Sequence, residues 1–140
     1  MIDAQDLDLP LPELNEITRP FWDGLAGGAL TFQRCEDCGN AWLPARSECP
    51  RCLSPRARRE AARGGARLVS WVIYRHAYHA AFAQRLPYAA AVVELDEGPR
   101  LISNLVGIAD FSALRIDMRL ALVIESEAGI AVPRFKLEAA

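Results

Sequence analysis

Four cysteines, Cys35, Cys38, Cys49 and Cys52, are the only thiols in the chain, and all lie in the stretch CEDCGNAWLPARSECPRC. Their spacing is Cys-x2-Cys, ten residues, Cys-x2-Cys. A thiolate can act as a nucleophile, a redox centre or a soft metal ligand. Two such pairs on two tight turns can bring four sulfurs to the corners of a tetrahedron, the arrangement that Zn²⁺ accepts. Gly39 lets the first turn aim its amides at sulfur, and Pro50 stiffens the second. A disulfide framework belongs to an oxidising compartment, which nothing in the sequence suggests. Iron in a rubredoxin-like site is the alternative metal. Four protein ligands leave no open coordination position, so the ion is expected to be structural and not the catalyst.

Little else in the chain has the pattern of a catalytic centre. With the cysteines on metal, no free thiol remains, and no Gly-x-Ser-x-Gly, P-loop or Gly-x-Gly-x-x-Gly occurs. The only histidines, His76 and His79, are three apart, which in a strand points them to opposite faces. Glu94, Asp96 and Glu97 read as a solvated hairpin end. No catalytic residue is assigned. The segment from His76 to Pro87 is long for a loop and carries Tyr78, His79 and Phe82, with Tyr88 just beyond. Such a mixture can line a ligand pocket or an interface, or pack onto the protein's own core.

The elements that must position these residues follow from periodicity. Residues 1–12 read as an irregular acidic arm with Pro10 and Pro12. In residues 13–27, Leu14, Ile17, Phe21, Trp22 and Leu25 share one helical face, with Asn15 or Thr18 as cap and Gly27-Gly28 as the stop. Phe21 and Trp22 can lie on the core or dock a partner. Residues 30–34 lead into the cysteines as a strand, and residues 41–43 lead out. Five strands are then expected: 66–75, 88–95, 100–106, 120–125 and 130–136, with a helical turn at 108–115. Pro133 confines the last strand to an edge or a bulge. Five strands in about 70 residues suit a small closed OB-type barrel. Apolar residues on both faces of several strands imply that the outside is covered too.

The fold class is therefore mainly β: an N-terminal helix, a rubredoxin-like zinc ribbon and a five-stranded OB-fold barrel. The expected segments are 1–29 (arm and helix), 30–62 (ribbon) and 63–140 (barrel). The net charge is −2, which does not favour nucleic acid, although seven arginines lie between Arg46 and Arg67 against two glutamates. A single-stranded nucleic-acid-binding module is the alternative reading, since OB barrels and ribbons both serve that purpose. No apolar run approaches the roughly 20 residues that span a bilayer. No secretory leader is visible, so a cytoplasmic location is expected.

The order Phe21-Trp22-Asp-Gly24, Cys35-x2-Cys38-Gly39, Cys49-Pro-x-Cys52, Tyr78-His79-x2-Phe82, Pro87-Tyr88, Glu94-Leu95, Arg100-Leu-Ile-Ser-Asn104-Leu-Val-Gly107 and Pro133-Arg134-Phe135 resembles one family. It is the domain-of-unknown-function family of zinc-ribbon/OB-fold accessory proteins associated with thiolases and sterol-carrier-protein-type aldolases. The resemblance runs from about Leu14 to Phe135. It implies a non-catalytic subunit that binds a thiolase-fold partner, in a two-plus-two heterotetramer, and helps bind acyl-CoA. The chemistry implied is carbon–carbon bond cleavage or formation, as in lipid or steroid degradation, with the partner supplying the reactive groups. Under that resemblance Phe21, Trp22, Tyr78, His79, Phe82 and Tyr88 are candidate partner or acyl-CoA contacts. Two positions depart from the pattern: Ala80 where proline is frequent, and Leu53 where a knuckle glycine is usual.

Overall fold

A computed structural model describes residues 9–138, so most of the expected arm, residues 1–8, lies outside the described residues. The helix α1 runs only from Arg19 to Ala26, shorter than its apolar periodicity. Local side-chain bonds take the residues before it. The Asn15 Oδ1 accepts from the amides of Ile17 (2.9 Å) and Thr18 (3.0 Å), and the Thr18 hydroxyl donates to the Glu13 carbonyl (2.8 Å). Short polar side chains that bond nearby backbone compete with helix in this way. Pro20 falls in the first turn, where no N–H is required. Gly28, at φ +93°, turns the chain out of the helix.

A three-stranded antiparallel sheet follows: β1 (Thr31–Cys35), β2 (Ala41–Trp42) and β3 (Ala57–Ala61), in the order β2-β1-β3. The strand β3, ARREA, has no apolar alternation and was not expected from the sequence. Charge pairing holds it. Arg34 on β1 bonds Glu60 (2.7 Å), the diagonal neighbour of its partner Arg58. Three of the seven arginines in the run are paired within the molecule: Arg56 with Asp37, Arg58 with Glu60, and Arg67 with Glu94 and Asp117.

The remaining strands close a barrel: β4 (Gly65–Tyr74), β5 (Tyr88–Leu95), β6 (Arg100–Leu105), β7 (Arg119–Glu127) and β8 (Ile130–Leu137). The order is β4-β5-β6-β8-β7, and β7 pairs back to β4 through Ala66↔Leu120. β5 shows the pattern most plainly, with Ala89, Ala91, Val93 and Leu95 inward and Tyr88, Ala90, Val92 and Glu94 outward. Gly65 admits no side chain, because a Cβ there would clash with the Asp96 carboxylate, which Arg119 holds through two bonds of 2.8 and 2.9 Å. The helical turn between β6 and β7 shrinks to Phe111–Ala113, started by Asp110 accepting from the Ser112 amide (3.0 Å).

Pro133 lies on a strand that is not at an edge, contrary to the sequence expectation. β8 meets β6 at one rung only, Leu105↔Phe135. The Pro133 carbonyl accepts from the Ser103 hydroxyl of β6 (2.7 Å), so its nitrogen faces β6 too, where no ladder needs an N–H. Away from its single rung to β6 the strand is edge-like on that side, and Pro133 sits there.

Leu25 of α1, Leu30, and Phe32 of β1 are buried in the same core as Leu68, Val93, Leu95, Leu120 and Phe135 of the barrel. A second, much smaller core holds Cys35, Trp42 and Cys49 with Ala57. Among the described residues no helix is long and apolar enough to cross a membrane.

Candidate metal centre and barrel-face groove

The four cysteines sit on two matched knuckles. In the first, the Gly39 amide donates to the Cys35 carbonyl (3.0 Å) and the Cys35 amide to the Asn40 carbonyl (2.8 Å). In the second, Leu53 repeats the first bond to Cys49 (2.9 Å), and Cys49 repeats the second to Ser54 (2.9 Å). Amides of Asp37 and Cys38 point at the Cys35 sulfur (3.3 and 3.4 Å), and those of Arg51 and Cys52 at the Cys49 sulfur (3.4 and 3.5 Å). All four sulfurs lie within 4.8 Å of one another, with 3.5 Å between Cys35 and Cys52 and 3.6 Å between Cys38 and Cys49. A tetrahedron with Zn–S bonds of about 2.3 Å has edges of about 3.8 Å, inside that range.

The electrostatics of the sulfurs fit a cation. Burial opposes ionisation of Cys49, yet the Cys52 and Arg51 amides, with Cys38 and Asn40, bring its thiol down to about 6. Burial likewise opposes ionisation of Cys35, and the Cys38 and Asp37 amides bring that thiol below its ordinary value. At Cys52 the Ser54 amide favours the thiolate, but the Cys35 sulfur, burial, and the other two sulfurs push the thiol up to about 12. Four crowded sulfurs cannot all ionise without a positive charge among them, which a divalent ion supplies. The donor set and its spacing thus fit a thiolate-bound metal, and the four cysteines are positioned for metal binding.

Leu53 occupies the place that Gly39 holds in the first knuckle and adopts the same left-handed backbone, φ +67° against +79°. That conformation costs a non-glycine residue about 1–2 kcal/mol, and the Leu53 side chain is exposed, so little packing offsets it. Leu53→Gly is expected to stabilise the metal-loaded protein by about 1 kcal/mol, after the entropy that glycine loses on folding. Denaturant melts at saturating zinc check this.

The structure gathers four of the remaining candidates into one place. Tyr88 stacks on Tyr74 (5.1 Å between centroids, 22°), Tyr78 meets Tyr74 edge-on (6.2 Å), and Phe82 lies 6.1 Å from Tyr88. The His79 Nδ1 accepts from the Ala81 amide (3.0 Å), capping the 3-10 turn Ala80–Arg85, and its ring edges Phe82 (5.9 Å). Ala80 opens that turn without needing proline. These rings wall a concavity of about 640 Å³ on the outer face of the barrel. Phe21 and Trp22 are not with them. Their rings meet edge-on (5.1 Å between centroids), pack against the core and line a separate apolar groove of about 460 Å³ with Leu43, Leu101, Val132 and Pro133.

Ile102 and Asn104 of β6 border both concavities and were missed in the sequence. The period-two pattern Arg100, Ile102, Asn104 was a usable signal, because it puts an isoleucine on the outer face. Ile102 is 78% exposed there, beside Val72 at 56%, while Tyr78 at the groove's end is 83% exposed. Large apolar groups left in water on one sheet face mark an interaction surface.

A helix-tethered zinc-type ribbon on a closed five-stranded barrel defines the class of ribbon/OB-fold proteins. Comparison with known proteins gives the family. The rubredoxin-like zinc ribbon domain of ChsH2 matches residues 22–56, and the C-terminal OB-fold domain of ChsH2 matches residues 59–125. A DUF35 domain-containing scaffold protein of Methanothermobacter thermautotrophicus is 30% identical over 115 residues, covering 78% of this chain and 85% of that protein. The chain belongs to the DUF35 family. A probable enoyl-CoA hydratase alpha subunit of Thermomonospora curvata is 33% identical over 128 residues, 91% of this chain but only 39% of that subunit. The chain likewise spans about half, 52%, of a related scaffold protein of Methanocaldococcus jannaschii. Among solved structures, the Ltp2-ChsH2(DUF35) aldolase contains a chain that is 32% identical with a TM-score of 0.79, covering 91% of this chain and 98% of that one. A DUF35 protein of Sulfolobus solfataricus, at 20% identity and a TM-score of 0.61, shares the fold.

Proposed function

We propose that this chain is a non-catalytic accessory subunit that docks a thiolase-fold partner and helps bind an acyl-CoA substrate for carbon–carbon bond cleavage or formation. The observation that carries the reading is the contrast between its two surfaces. The thiols converge on a centre whose four ligands leave no coordination position for substrate, while the outer barrel face offers a wide aromatic-walled concavity beside an apolar groove. Cys35, Cys38, Cys49 and Cys52 hold a structural Zn²⁺, with iron as the alternative. His79 is engaged as a turn cap. Reactive groups then come from the partner, which closes over Val72, Tyr78 and Ile102. The likeness to a chain of an aldolase favours a retro-aldol partner over a thiolase. Since thiolase-fold proteins dimerise, two copies of each chain make the assembly, placed in the cytoplasm, where the thiols stay reduced.

The nucleic-acid reading is weakened by the net charge of −2 and by the pairing of Arg56, Arg58 and Arg67, three of the seven arginines of the run, with carboxylates. The partner reading is tested by co-expression with a thiolase-fold subunit encoded beside this chain. Co-elution at equal stoichiometry is expected, and Ile102→Glu is expected to weaken it at least tenfold with no change in melting temperature, as desolvating a charge in an apolar contact demands. A monodisperse chain that never co-elutes contradicts it.

A further inference from the structure

Three concavities on the barrel meet at one residue. Asn104 borders the aromatic concavity with Tyr74, Tyr78 and Tyr88, the apolar groove with Phe21, Trp22 and Pro133, and a smaller recess of about 210 Å³ with Phe82, Arg85 and Arg134. Its neighbours across the sheet are Ala90 and, one row on, Ile102 and Val92, so it is an amide set among apolar neighbours on the outer face. Asparagine is a poor strand residue, and nothing about this row of the sheet requires one.

The side chain is held in one orientation. Nδ2 donates to the Ala89 carbonyl at 3.1 Å, and that acceptor determines which end of the amide faces the backbone. Oδ1 therefore points away from the ladder. No donor among the described residues reaches it, and it is not shut off in the interior. The result is a fixed hydrogen-bond acceptor at the junction of an aromatic channel and an apolar one.

Such an acceptor, between a tyrosine-lined wall and an apolar one, selects a ligand that brings an N–H along an extended, otherwise uncharged chain. The two arginines of the small recess do not alter this. Arg85 pairs with Glu127, and Arg134 with Glu125 (2.8 Å) and Glu127 (2.5 Å), so the recess has no excess positive charge for a phosphate. We infer that Asn104 is the polar recognition residue of the groove and accepts an amide N–H of a pantetheine-type arm, whose thioester end then runs toward the apolar groove beside α1. This rests on the acyl-CoA reading above and adds the half of the molecule that the barrel reads: the amide arm, not the nucleotide. Both concavities are in the size range of small-molecule sites, about 300–1,000 Å³.

The test titrates pantetheine and, separately, adenosine 3′,5′-bisphosphate into the full chain, free and in its co-purified complex. Pantetheine is expected to bind and to shift the Asn104 side-chain amide resonances. Asn104→Ala is expected to weaken it about tenfold, the size of one lost hydrogen bond. Asn104→Asp also loses the Nδ2 tether but keeps an acceptor, and is expected to stay within about threefold of the parent. Equal loss in both variants, with melting temperatures showing both folded, means that the tether matters and not the acceptor, and overturns the inference. So does binding of the bisphosphate without pantetheine, or of neither probe, or displacement of pantetheine by a short unrelated peptide. None of these results touches co-elution with the partner, so the accessory-subunit reading stands or falls separately.

Discussion

Removing the metal, by chelation or by Cys49→Ser, is expected to melt the two knuckles and β2, residues 36–56, while the barrel and the root of β1 stay folded. Structural zinc contributes on the order of 10 kcal/mol to small cysteine-rich folds, because no preformed site exists in the unfolded chain. The ribbon has little to replace it. Its own core is Cys35, Trp42, Cys49 and a partly buried Ala57, two of those being cysteines positioned for the metal. The indole Nε1 of Trp42 is buried without a hydrogen-bond partner, a cost that the folded ribbon carries and an unfolded one does not. The barrel is different in kind. Leu68, Val93, Leu95, Leu120 and Phe135 form a buried core independent of the sulfurs, and Leu30 and Phe32 anchor the root of β1 in it. Amide exchange before and after chelation checks this. Protection is expected to vanish across residues 36–56 and to persist in β5, with Trp42 fluorescence shifting to the red. Unchanged protection in the ribbon, or collapse of ribbon and barrel together, contradicts it.

How far the sequence foretold this depends on the range of the forces involved. The cysteine centre was legible because each knuckle closes within a few residues, so spacing alone placed the sulfurs. β5 was legible because every second side chain is inward and apolar. The strand β3 was not. ARREA is held to β1 by its backbone ladder and one cross-strand ion pair, Arg34 to Glu60, and a charged strand looks like a basic loop until its partner is known. The apolar period of α1 ran past its true start because Asn15 captured two amides, a contest between side chain and helix that hydrophobicity does not register. Asn104 was passed over for a different reason. Its place opposite Ala90 and near Tyr88 depends on the register of three strands, and its orientation on a carbonyl fifteen residues away.

The second large effect concerns turnover. The account makes this chain a scaffold whose partner brings the nucleophile or the acid–base pair. Acid–base catalysis alone contributes about 10²–10⁴ in rate, and a chain whose thiols sit on metal has no activated nucleophile to add to it. The partner by itself is expected to be nearly as inert, because the acyl-CoA arm is proposed to lie between the two surfaces and positioning accounts for several kcal/mol of a barrier. Activity is thus expected to be close to all-or-none in the mixture and not a sum of parts. A variant with Ile102→Glu is expected to lose activity in proportion to its loss of assembly.

The most direct test of the scaffold claim is a single assay of carbon–carbon bond cleavage in a β-hydroxyacyl-CoA, run with this chain alone, with the thiolase-fold partner alone, and with the two co-purified. Cleavage only in the co-purified sample is the predicted result. Cleavage by this chain alone, at a rate the partner does not raise, would contradict it.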